Sequence, residues 1–127
     1  MANYTPKIGK DGLPSRGLIV RQPWASMIVT GEKSWEIRGA NTQIRGVIGI
    51  IAAKTGLVIG IAHLMQVIGP LCLDDYIKNR TLHGSQSLKE IDLPYPKTYA
   101  WVLERCMPLN PPIAYKHPQG AVIWVKL

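Results

Sequence analysis

Two β-branched runs, Val47 to Ala53 (VIGIIAA) and Leu57 to Ile68 (LVIGIAHLMQVI), are separated only by Lys54-Thr55-Gly56, and no other stretch restricts the fold so strongly. Valine and isoleucine suit a pleated, half-buried surface, and Gly56 suits the positive backbone angle that a short turn requires. The pattern predicts an antiparallel hairpin. Gly49 and Gly60 lie inside the two runs, where glycine marks a bulge or a tight bend of the sort a small barrel needs. Leu18–Val20, Ser34–Arg38, Tyr99–Arg105 and Gly120–Leu127 supply further short strands. The expected fold class is α+β, a small β-barrel with two or three helices packed outside it.

A first helix is expected over Pro23–Thr30. Proline's fixed φ suits a first turn, Trp24, Met27 and Ile28 share one face, and Gly31 supplies the stop. A second helix is expected over Leu73–Leu82, with Asp74 and Asp75 at its positive end, Arg80 near its negative end, and Gly84 ending it. Ser85–Lys97 reads as an extended surface loop and Pro108–Pro118 as a proline-rich connection. Residues 1–16 show no period and read as an N-terminal arm, leaving residues 17–127 as a single domain with one core.

The composition removes several function classes. Cys72 and Cys106 form no metal-ligand spacing with each other or with the histidines. They read as small buried hydrophobes, so no metal or cofactor site is expected. Gly56–Leu73 is apolar but broken by Gly60, His63, Gln66 and Pro70, which argues against a membrane span. The N-terminal MANYTPKIGKDGLPSRG lacks the apolar stretch of a secretory signal, so a cytoplasmic location is expected. The net charge of +7 favours a polyanionic partner. Its distribution sharpens that expectation: residues 1–54 carry eight Lys or Arg against three acidic residues, and residues 55–127 carry seven against five.

The excess surrounds one constellation, Gly31-x-Lys33-x-x-Glu36-x-Arg38, which follows the Gln22-Pro23-Trp24-Ala25 helix start and precedes Thr42-x-x-Arg45-Gly46. Strand alternation sends Trp35 and Ile37 to the core and turns Ser34, Glu36 and Arg38 outward together, with Lys33 at the turn beside them. Lys33 alone would read as a solvated turn residue. The Glu36–Arg38 spacing is equally that of a surface ion pair, worth about 1 kcal/mol or less. Together the three groups can orient one another and leave positive charge for a phosphate or a base edge. Trp24 is either a core residue or a stacking platform beside the motif. Arg21 points toward the same region, the polar loop with Thr42 and Arg45 is suited to phosphate contacts, and His117 lies in a loop that could reach the cleft mouth.

This constellation, with the late Ala100-Trp101-Val102-Leu103 and Gly120-Ala121-Val122-Ile123-Trp124 strands, resembles the ASCH domain family, related to the PUA RNA-binding domains, from about Leu18 to the C-terminus. The resemblance implies a PUA-like β-barrel with a cleft between the first helix and the barrel, and a role in RNA binding or processing. It points to an RNA-binding module in which Arg21, Trp24, Lys33, Glu36, Arg38, Thr42, Arg45 and His117 hold single-stranded or modified RNA. A second reading is a small hydrolase, ribonuclease-like or resembling the acetylcytidine amidohydrolases, with Lys33 and Glu36 as catalytic groups. In those relatives a nucleophilic threonine stands three residues after the motif lysine, whereas this chain has Glu36 there, so that mechanism does not carry over. A third reading is a protein-interaction module built on the proline-rich segments.

Overall fold

The computed structural model describes residues 13–84 and 92–127. The β-branched hairpin forms as expected: β3 (Gly46–Ala52) and β4 (Leu57–Ile68) pair antiparallel. Lys54 and Gly56 both take positive φ in the turn between them, 67° and 70°. Around this pair stand β1 (Arg16–Val20), β2 (Trp35–Arg38), β5 (Tyr99–Ala114) and β6 (Trp124–Lys126), giving one sheet in the order β2-β5-β4-β3-β1-β6. β1 runs parallel to β3, and the other ladders are antiparallel.

The sheet curls into a half-barrel. Trp101 on β5 stacks on Trp124 on β6 at 5.8 Å between ring centroids, although β4, β3 and β1 separate the two strands in the sheet. A register shift falls at Gly60 on both ladders of β4, where one was expected; the β4–β5 ladder shifts twice more, at Ile61/His63 and Leu64/Gln66, and Gly49, also expected to mark a bulge, pairs in regular register. Gly60 also admits a close approach. A Cβ there would stand 2.7 Å from the Met107 carbonyl and would collide with the Val29 side chain, so α1 (Trp24–Val29) can cross β4 only over a glycine.

Three clusters of apolar side chains hold the fold. The main core lies on the inner face, where Leu18, Ile48, Ile50, Leu64 and Leu103 meet Ala25, Ile28 and Val29 of α1. On the opposite face of β2 and β5, Trp35, Ala100 and Val102 pack against Leu71 and Tyr76. A third cluster joins Leu13, Ile51, Val58 and Val125. Each fully buried large side chain contributes about 1.5–3 kcal/mol.

Several sequence expectations change. The predicted helix Leu73–Leu82 is two short helices, α2 (Leu73–Lys78) and α3 (Arg80–His83), broken at Asn79, whose φ of −110° and ψ of 29° leave the helical region. Gly84 ends α3 in the left-handed conformation, as expected. The proline-rich segment is not a loop as far as Ala114, because β5 runs through Pro108, Pro111 and Pro112. That half of β5 pairs with β4 alone, since β2 reaches only Tyr99–Val102, and an edge without a second neighbour tolerates residues that have no N–H to donate. The last strand is shorter than predicted, Trp124–Lys126. Cys72 is not buried. It is exposed at the start of α2, where its sulfur accepts from the Asp75 amide at 3.4 Å. Cys106 is half-buried, and burial pushes its thiol up to about 11, with the Glu104 charge adding to the effect.

Of the expected arm, residues 1–12 lie outside the described residues, Leu13 is buried, and the Ser15 carbonyl accepts from the Leu127 amide at 2.9 Å. Residues 85–91 of the predicted loop Ser85–Lys97 also lie outside them. No helix among the described residues is long and apolar enough to cross a membrane.

Candidate nucleic-acid interface

The chain reversal between α1 and β2 builds the site. Gly31 takes φ of 83° and lets the backbone leave α1 at once. The Lys33 amide then bonds the Met27 carbonyl at 3.1 Å, and the Ser34 amide bonds the Leu82 carbonyl at 2.9 Å. These bonds fix Lys33 between α1 and the end of α3. Its Nζ donates to the His83 carbonyl at 2.9 Å and pairs with Glu36 Oε1 at 3.1 Å. With 3% of Lys33 and 6% of Glu36 exposed, the solvated-turn reading of Lys33 and the surface-pair reading of Glu36 are both overturned.

Glu36 Oε2 faces Arg38 instead, accepting from Nε at 3.0 Å and lying 2.9 Å from Nη2. Arg38 Nη2 also donates to the Ile19 carbonyl at 2.7 Å and so ties β2 to β1 across the open side of the half-barrel. The guanidinium lies over the Trp101 ring, 5.6 Å from its centroid. Trp35 and Ile37 pack into a buried cluster as the sequence predicted, but Glu36 and Arg38 turn inward instead of facing solvent. Glu36 pairs with Trp101 and Arg38 with Tyr99 on β5, so the charged side chains share the inner face with the main core. Trp35 and Ile37 lie on the other face, in the cluster with Leu71 and Tyr76.

Burial pushes the Lys33 ammonium below its ordinary range; the Glu36 carboxylate opposes that shift, and the Arg38 charge adds to it. A buried ammonium keeps its charge only while it is paired, so Lys33, Glu36 and Arg38 form one electrostatic unit with a net single positive charge. The unit floors an open cleft of about 310 Å³, whose wall and rim include Ile19, Arg21, Trp24, Tyr95 and Val122. Trp24 is 36% exposed, which settles it at the rim rather than in the core, and the Lys33 Nζ lies 5.5 Å from its ring centroid.

A lysine, a glutamate and an arginine gathered beside the first helix and a curled sheet are the arrangement that the motif spacing suggested. The ASCH domain profile matches residues 18–113. This chain belongs to the ASCH domain family. Its fold is similar to that of an ASCH protein from Zymomonas mobilis, with a TM-score of 0.65 at 20% identity over 88% of this chain and 86% of that one. A serine-to-alanine variant of the Zymomonas mobilis protein gives a TM-score of 0.66, again at 20% identity, covering 88% and 87% of the two chains. A tyrosine-to-phenylalanine variant gives 0.62 at 20% identity, covering 88% of each. At that identity the likeness is one of fold. No curated protein matches the chain in sequence.

Within this ASCH domain, five of the eight expected site residues, Arg21, Trp24, Lys33, Glu36 and Arg38, line one cleft. Thr42 and Arg45 do not line it. Arg45 Nη1 folds back onto the carbonyls of Thr42 and Ile44, at 2.8 and 2.7 Å, and the Thr42 hydroxyl accepts from the Ile44 amide. His117 also stands apart. Its Nε2 lies 3.0 Å from the Ala121 carbonyl, which can only accept, so Nδ1 takes the Tyr115 hydroxyl proton at 2.7 Å. That bond anchors the chain immediately before Val122, which does reach the cleft.

Sequence reasoning missed Tyr76, His83 and Tyr95, all of which line the cleft. The His83 ring stacks on Tyr76 at 4.1 Å and its Nε2 bonds the Tyr76 carbonyl at 2.8 Å. What Lys33 uses, however, is the His83 carbonyl, and no residue-type signal marks a main-chain acceptor fifty positions away. The only available hint was Gly84, whose left-handed turn places the end of α3 there.

Proposed function

We propose that this ASCH domain is an RNA-binding module in the cytoplasm that holds one unstacked nucleotide of a single strand in the cleft, with residues 17–127 forming the binding domain. The observation that carries the proposal is the pairing of a cationic, buried floor with an exposed aromatic and an exposed arginine at the rim. Single-strand binders combine those two elements, a basic groove for the backbone and an aromatic face for the base. Arg21 is exposed, and although its carbonyl accepts from the Ala25 amide at 3.1 Å, its guanidinium has no hydrogen bond or ion pair among the described residues, so its charge is available to a phosphate. The family's association with RNA and the basic N-terminal half support the same reading.

The hydrolase alternative draws on Lys33, a buried amine beside a carboxylate. Binding is better supported because the position three residues after Lys33 is Glu36, both of whose oxygens are held by cations. Neither neighbouring hydroxyl lines the cleft: Thr30 is exposed and donates to the Met27 carbonyl at 3.2 Å, and Ser34 is absent from the wall.

Titration of labelled single-stranded RNA at several salt concentrations tests the proposal. Affinity is expected to fall as salt rises, and Arg21→Ala is expected to reduce the log–log slope by about 0.7, the release expected for one single-strand phosphate contact. Trp24→Ala is expected to leave the slope unchanged and cost roughly 1–3 kcal/mol of stacking. Both residues sit on the rim, so neither change disturbs the core. Unaltered affinity in both folded variants would refute the reading.

A further inference from the structure

We infer that the cleft reads the imide edge of a uracil base, an assignment that rests on the RNA-binding reading and adds the identity of the base. The inference comes from counting donors and acceptors on the floor. A Lys33 ammonium has three N–H groups; one goes to the His83 carbonyl and one to Glu36 Oε1, which leaves one. Arg38 commits Nε and Nη2 to Glu36 Oε2 and to the Ile19 carbonyl. Its Nη1 has no partner among the described residues, so two more N–H groups remain.

A carboxylate offers about four lone-pair directions. On Glu36, Oε2 accepts from Arg38 Nε and is paired with the Nη2 charge at 2.9 Å, while Oε1 is paired with Lys33 Nζ at 3.1 Å, so one direction is left on Oε1. Along the floor the free groups therefore run Lys33 donor, Glu36 acceptor, Arg38 donor. Uracil presents the complementary order on one edge: the O4 acceptor, the N3–H donor and the O2 acceptor. Cytosine places an amino group and an unprotonated ring nitrogen at the first two of those positions, so donor meets donor and acceptor meets acceptor. Adenine has a single amino group beside a ring acceptor, and guanine has one carbonyl beside two donors. Neither matches all three positions.

Leaving a buried polar group facing its own kind costs more than a good contact gains. A well-made pair of hydrogen bonds to a base edge discriminates by about 1–3 kcal/mol, or roughly fivefold to more than a hundredfold. The cleft volume of about 310 Å³ is at the small end of ligand sites, in keeping with one flipped base under Trp24 rather than a stacked run.

The test is competition of uridine, cytidine, adenosine and guanosine monophosphates against a labelled single-stranded RNA of mixed sequence, on the full chain. Uridine monophosphate is expected to compete at least about tenfold more strongly than cytidine monophosphate. Arg38→Lys keeps the charge but removes the forked Nη1, so it is expected to lower that ratio severalfold while the salt dependence of RNA binding persists. A thermal melt of the variant confirms that it is folded. Competition of equal strength by all four nucleotides, or preference for cytidine, adenosine or guanosine, overturns the assignment of uracil and leaves the RNA-binding reading standing. Failure of the labelled RNA itself to bind overturns both.

Discussion

Removing the Glu36 carboxylate tests whether the motif is a single buried electrostatic unit. In Glu36→Ala the Lys33 ammonium, 3% exposed, retains the His83 carbonyl but loses its only counter-ion among the described residues. Breaking a buried pair from one side costs about 3–5 kcal/mol. For a chain of this length, with a total stability of roughly 6–19 kcal/mol at ordinary per-residue values, that corresponds to a fall in Tm of roughly 10–20 °C. The deficit also depends on pH, and its sign follows from linkage. Burial already lowers the Lys33 pKa below the ordinary 10.5, and Glu36 is the group that opposes the shift, so the folded variant releases the lysine proton earlier still. Between the folded value and 10.5 the unfolded chain holds the proton and the folded chain does not, so stability rises with pH through that window and levels off above it. Thermal melts of both proteins at about pH 7 and about pH 9.5 are expected to show the gap narrowing at the higher value. Adding Lys33→Met to Glu36→Ala removes the stranded charge and is expected to recover part of the loss. A gap below about 3 °C, or one equal at both pH values, would refute the account.

Two further outcomes test the packing. Gly60→Ala places a Cβ against Val29 and 2.7 Å from the Met107 carbonyl, so it is expected to cost about 1–3 kcal/mol, read as a lower urea midpoint with an unchanged m-value. Thiol titration with an aromatic disulfide at about pH 8 is expected to modify exposed Cys72 promptly and Cys106 only on unfolding, because a thiol pushed up to about 11 is thiolate in roughly one molecule per thousand at that pH.

The sequence by itself determined what local physics controls. The β-branched hairpin and its turn, the Gly31 and Gly84 stops, the helix before the motif and the bend at Gly60 all depend on backbone preferences that act within a few residues. The motif spacing determined that Lys33, Glu36 and Arg38 would meet, since a turn followed by strand alternation leaves them as neighbours. Alternation is symmetric between the two faces of a strand, however, so it could not say which face is inner. The curl of the sheet decided that, by sealing Trp35 under Leu71 and Tyr76 and placing Glu36 opposite Trp101 inside the half-barrel. Tertiary structure also decided that β5 continues through its prolines, because only the sheet order shows that this half of the strand has one neighbour. It drew Arg45 back onto its own loop and supplied the His83 carbonyl to Lys33. A main-chain oxygen carries no residue-type signature, so its place in the site emerged only once α3 had packed beside β2.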